Sequence, residues 1–185
     1  MKISAALSAA ILLCTNAVAD ELDLSFNEDA FRVVYARDFA TNDLSWDAGV
    51  LNHSDNGFVV NGSMYLSGFA SDGTNPLEAG LGARLGWVDG DDSGQTGVPV
   101  APGGFLKYTL SDYNRFSIRV DAYYAPDALS IKDVESYKDY SIRVAYNLLR
   151  EADIFVGARY VKAEFDNDSE QLFDNGMHLG MNLRF

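Results

Sequence analysis

The chain has 185 residues, 27 acidic against 14 basic, and a formal charge of −13 at a mean hydropathy of −0.09. With 48% hydrophobic and 12% aromatic residues it is too apolar to be disordered, and its acidity excludes a general nucleic-acid binder, which needs a basic footprint. The single Cys permits no internal disulfide framework.

The first segment reads as an address. Lys2 supplies a positive start, Ala5 to Leu13 a short apolar stretch, and Ala17-Val18-Ala19 a cleavage site before Asp20. This is the form of a Sec-type secretory signal peptide over 1–19, too short to span a bilayer as a mature helix. Cys14 follows Leu13, where a lipid-anchored chain wants a small residue, so the Cys leaves with the signal. Residues 20–185 then form one domain.

That domain alternates with a period of two. Leu77, Ala79, Leu81, Ala83, Leu85 and Trp87 share one face, with Glu78, Gly80, Gly82, Arg84 and Gly86 on the other. The pattern returns over 116–124, 140–148 and 177–185. It predicts ten strands near 21–26, 30–38, 44–52, 57–68, 76–88, 98–110, 114–125, 138–149, 152–165 and 175–185. The first two are short, which leaves eight as the alternative count. Most reach the about 9–11 residues that a tilted strand needs to cross a membrane. The fold class is therefore all-β, an antiparallel up-and-down transmembrane β-barrel, with a soluble lipocalin-like barrel as its rival.

Face chemistry favours the membrane. The polar face mixes Arg with Gly, Ser and Asn, as a narrow filled lumen requires. Aromatic residues fall near the ends of the apolar stripes: Trp87, Tyr124, Tyr140 and Tyr160 toward one interface, Trp46, Tyr108 and Tyr146 toward the other. Tight turns at 111–113 and 149–151 alternate with polar segments at 89–97, 126–137 and 166–174, which read as long loops on one side.

The last strand has apolar residues at every second position up to Phe185 and resembles the assembly signal of outer-membrane barrels. Tyr123-Tyr124-Ala125-Pro126-Asp127-Ala128-Leu129-Ser130, Phe155-Val156-Gly157-Ala158-Arg159-Tyr160, Leu81-Gly82-Ala83-Arg84-Leu85 and Pro102-Gly103-Gly104 are similar to the YfaZ family of outer-membrane proteins. The resemblance covers nearly the whole mature chain and is strongest from about residue 77. It implies a small outer-membrane barrel of a Gram-negative bacterium, handled by the barrel-assembly machinery. It implies no activity, so no catalytic residue transfers.

Strand parity sorts the charges. The predicted lumen holds Asp23, Asp47, Glu78 and Asp121 with Arg32, Arg84, Lys107, Arg119, Arg143, Arg159 and Arg184, seven basic against four acidic, or +3. The three polar segments carry Asp89, Asp91, Asp92, Asp127, Asp133, Glu135, Asp166, Asp168, Glu170 and Asp174 against Lys132. A basic lumen suits a narrow channel for small solutes. The competing reading is a polar core of paired charges, which the small barrel size favours.

Two acidic stretches, 89–94 and 166–170, have the oxygen density of a divalent-cation loop but not its full spacing. His53, beside Ser54 and Asp55, and His178, at the start of the last strand, are both placed toward the outer side. They supply the residue types of an acyl-transfer site, but adjacency in a turn gives no triad geometry. The sequence thus predicts a non-enzymatic barrel in the cell outer membrane, without cofactor or metal. Its acidic loops would meet lipopolysaccharide, divalent cations or a surface partner. A channel and a lipid-modifying enzyme are the alternatives.

Overall fold

The computed structural model describes residues 20–39, 43–69, 77–90, 94–166 and 169–185. The expected signal segment 1–19 lies outside the described residues, as do Asp91, Asp92 and Asp168. Eleven strands form: β1 (Asp20–Phe26), β2 (Ala30–Asp38), β3 (Leu44–His53), β4 (Gly57–Phe69), β5 (Leu77–Gly90), β6 (Gln95–Thr109), β7 (Phe116–Ala125), β8 (Ser130–Lys132), β9 (Val134–Leu149), β10 (Ala152–Phe165) and β11 (Ser169–Arg184). Each strand except the short β8 pairs antiparallel with both neighbours, and β1 pairs with β11 from Glu21↔Arg184 to Phe26↔Leu179. The result is a closed, all-β, ten-strand barrel. Closure leaves no unpaired edge strand in the ring.

Both termini lie at one end, here the terminal end; the opposite end is distal. Asp20 and Phe185 exchange backbone hydrogen bonds of 2.9 and 3.0 Å and seal the seam. The predicted strands are met closely through residue 90. Beyond it, β6, β9 and β11 begin earlier than expected, at Gln95, Val134 and Ser169. The polar segments read as long loops are therefore largely strand. The terminal connection at 150–151 is tight, as expected, but so are the distal ones at 27–29 and 54–56, and the terminal connection at 110–115 is longer than either. The asymmetry lies in strand extension, with β5, β6, β9, β10 and β11 standing tall over the short β1–β2 hairpin.

Local chemistry explains the tight distal turns. The Asn27 side-chain oxygen accepts from the backbone N–H of Asp29 at 3.1 Å and of Ala30 at 2.6 Å, an Asx turn. Gly57, at φ 92°, takes the left-handed conformation that lets β4 start at once after 54–56. The segment between β7 and β9 adds a 3₁₀ turn at Asp127–Leu129 and then β8, which pairs with the distal part of β6. Gly82 answers a packing demand: a Cβ there would lie 2.6 Å from Tyr65 Cα on the adjacent strand.

The interior changes character along the barrel axis. On β10 the inward residues run Phe155, Gly157, Arg159, then Val161, Ala163 and Phe165, the last three fully buried. Outward residues run Ile154, Val156, Ala158, Tyr160, then Lys162 and Glu164. Above Tyr160 the faces exchange polarity: apolar inside, charged outside. Val59, Val88, Ala125, Tyr137 and Phe173 complete the distal packing, all at 1% exposure or less. A bulge at Val161/Lys162 accommodates Phe173 as an extra residue, and both it and Asp174 are buried.

Candidate functional site

Below the distal packing lies a polar chamber of about 90 Å³. Asp23, Arg32, Asp47, Arg84, Arg119, Asp121, Arg143 and Arg159 line it, and Lys107 and Arg184 line a smaller pocket nearer the terminal end. Glu78 reaches Lys107 at 3.4 Å. The structure thus places all eleven predicted lumen charges inward.

Their partners were only partly foreseen. Arg84 is 5% exposed and donates from Nε to Ser63 at 2.9 Å and from Nη1 to Asp139, while its guanidinium lies 3.9 Å over the Tyr123 ring. Ser63 in turn donates to Asp47 at 2.9 Å, and Arg32 reaches Asp139 at 3.7 Å. Arg119 holds Asp121 with Nε at 3.0 Å and Nη2 at 2.9 Å, stacked 3.9 Å over Phe105. Arg143 bonds Asp23, and Arg184 bonds Asp153 at 2.9 Å. Arg159 donates to Asp174 at 2.6 Å and to Ser25 at 3.1 Å.

Three of these acids, Asp139, Asp153 and Asp174, lie outside the predicted lumen set, and Asp174 falls in the expected loop at 166–174 but sits on β11. Counting them, seven cations face seven acids, and Glu21 at the chamber margin makes eight. The interior is neutral to slightly acidic, which corrects the expected +3. Leaving a charge buried and unpaired costs several kcal/mol, so matching each cation with a carboxylate is the arrangement a sealed polar core requires. The chamber has room for a few waters and no larger solute.

Outside, large apolar side chains are exposed around the wall, among them Leu81, Met177 and Phe185 at 76, 70 and 61%. The predicted girdle residues face outward among them. Tyr140 sits opposite Tyr160, with Tyr124 and Trp87 also toward the distal side. At the terminal side Trp46 packs on Tyr35 at 5.6 Å, Tyr146 on Phe116 at 5.0 Å, and Tyr108 pairs with Ile118.

The histidines do not meet. His53 accepts through Nδ1 from the backbone N–H groups of Asp55 and Asn56, each at 3.2 Å, and its Nε2 lies 3.4 Å from the Asn56 amide. The Ser54 hydroxyl turns to Asp55 instead. His178 is not at the outer side as expected. It lies mid-strand on β11, 5% exposed, edge-on to Phe155 at 5.9 Å and lining the chamber. Among the described residues no group of three or more His, Cys, Asp or Glu side chains is placed to hold a metal ion. No helix among them is long and apolar enough to cross a membrane.

The model of the YfaZ family, described as YfaZ precursor, matches residues 1–185, the whole chain. The chain belongs to the YfaZ family. A search of curated proteins finds no match.

Proposed function

We propose that this YfaZ-family chain is an exported, integral outer-membrane β-barrel of a Gram-negative bacterium, with a sealed interior and a structural or surface-interaction role. In this reading the termini face the periplasm and the distal rim faces outward, as an even-stranded outer-membrane barrel implies. The observation that carries it is the exchange of polarity at Tyr160. Between the girdles the barrel is apolar outside and charged inside, the order lipid requires. Above the distal girdle β10 is apolar inside and charged outside, the order water requires.

The matched charges and the packed distal residues support a sealed barrel over a solute channel. The engagement of His53 Nδ1 by two backbone N–H groups of its own turn, with the Ser54 hydroxyl turned to Asp55, supports a non-enzymatic role. The distal surface carries Glu28, Asp29, Asp55, Asp127, Asp133, Glu135 and Asp166, and Asp91, Asp92 and Asp168 of the same segments lie outside the described residues. This acidic rim suits divalent cations that bridge lipopolysaccharide phosphates.

Cell fractionation with heat-dependent gel migration tests the location, and recovery of the chain in the soluble periplasm would overturn it. Planar-bilayer recording tests the sealed interior. Silence at all salt concentrations is expected; resolved single-channel steps would replace this reading by the channel.

A further inference from the structure

Among the described residues the exposed distal cations are lysines: Lys132 on β8, whose ammonium lies 4.6 Å over the Trp87 ring of β5, and Lys138 on β9 with Lys162 on β10. Lys138 and Lys162 stand directly opposite each other across the β9–β10 pair. Like charges so placed repel unless something compensates. Here the Glu164 carboxylate accepts from Lys138 at 2.9 Å and from Lys162 at 3.0 Å, and Glu170 accepts from Lys162 at 2.8 Å. An ammonium has three N–H donors. The glutamates hold the pair in place while leaving two donors on Lys138 and one on Lys162.

Immediately toward the terminal end on the same face stand Tyr140 and Tyr160, also opposite each other. Below them an apolar groove of about 560 Å³ runs across β7, β9, β10 and β11, lined by Ala122, Tyr140, Ile142, Ala158, Tyr160 and Met177. The order along the wall is therefore an ammonium pair, a pair of phenols, and an apolar trench. Small residues at 122 and 158 keep the trench open beside the large ones.

We infer that this wall binds a phosphorylated membrane lipid, its phosphate on Lys138 and Lys162 and an acyl chain in the groove below. The inference rests on the membrane reading above and specifies one lipid partner within it. Glu164 and Glu170 already balance the two ammoniums, so the cluster offers a headgroup hydrogen-bond donors rather than net charge, and a phosphate monoester brings more acceptor oxygens to the free N–H groups than a carboxylate does. A peptide from a second copy would bring unpaired backbone groups into an apolar trench, which is costly in lipid.

The test uses the full mature barrel in phosphatidylcholine nanodiscs containing a minority of phosphatidic acid, with retained lipid identified by native mass spectrometry. Wild type should enrich phosphatidic acid about tenfold or more over its share. The K138Q/K162Q variant should lose the enrichment, while R150Q, in a terminal turn, should keep it. Filling the trench with A158W should weaken retention, and soluble glycerol phosphate should compete poorly. Unchanged enrichment in K138Q/K162Q would overturn the site. Full competition by glycerol phosphate would overturn the groove's part in it. A dimer in place of bound lipid would reassign the groove to a second copy. Failure of the membrane reading is separate: the wild type would show neither insertion nor heat-dependent migration.

Discussion

Arg159 and Asp174 meet inside the barrel wall with Nε 2.6 Å from Oδ2, and their side chains are 3 and 2% exposed. They join β10 to β11 beneath the bulge at Phe173, and Arg159 Nη1 extends the link to Ser25 on β1. Arg159→Ala leaves the carboxylate without its cation at this depth and should cost about 3–5 kcal/mol. The R159M/D174L double variant, which removes both charges at similar volume, should recover most of that loss. Denaturant midpoints of the lipid-embedded barrel, read by gel migration, distinguish the two; equal losses in both would mean that the charge pairing is not what stabilises this layer.

Much of this arrangement is legible in the sequence because parity in a strand is rigid. Once Arg84, Arg119, Arg143 and Arg159 are set on one face, each falls inside. What parity does not supply is where a strand ends. Starting the last strand at 175 leaves Asp174 in a loop, and starting β9 at 138 puts Asp139 at a margin where it is easily discounted. Asp153 lies within the expected strand on the parity of Arg159, so alternation alone could have found it. The distal exchange of polarity is harder to read. Val161, Ala163 and Phe165 share the parity of Arg159, and the change at Tyr160 comes with no change of secondary structure. The Phe173 bulge, which shifts register, has no local signature in the sequence.

Val144 lies between the girdles, facing outward at 43% exposure, between Ile118 and Val156 on the neighbouring strands. If lipid surrounds this band, Val144→Arg should destabilise the barrel by about 2–4 kcal/mol in vesicles. A barrel surrounded by water would tolerate the same change with little effect. Folded fractions against urea, in vesicles and in the presence of wild type as a reference, decide between them. An indifferent variant would sink the membrane reading of this face.

Glu164 stands beyond the distal girdle, outside the part of β10 that the proposed function puts in the membrane. Its hydrogen bond from Ser136, then those from Lys138 and Lys162, hold its carboxyl down at about 2. An unfolded Glu titrates near ~4.3, so the unfolded chain binds more protons across this interval. The stabilisation is therefore present above that pH and lost progressively as pH falls toward about 2. The side chain is 29% exposed, so solvent screens the effect and the loss is local, at the distal end of the β9–β10 hairpin. A carboxyl carbon NMR titration should place Glu164 well below the usual range in wild type and move it upward in K138Q/K162Q. An ordinary midpoint in wild type would exclude the lysine clamp.

Phe185 joins two roles that substitution can separate. Its backbone closes the seam with Asp20, whereas its ring, 61% exposed, makes no part of that closure. Phe185→Ala keeps the backbone bonds, so unassisted folding into thin vesicles should reach nearly the wild-type yield and denaturant midpoint. In cells the same variant should assemble poorly if the assembly machinery reads the terminal ring, and unfolded chain should accumulate in the periplasm. Deleting Phe185 removes the seam bonds as well, and the loss of two backbone hydrogen bonds, each worth about 0.5–1.5 kcal/mol, should appear in the vesicle experiment too. Comparing the two variants in both settings separates recognition from closure. Normal assembly of Phe185→Ala in cells would show that the ring is not the signal.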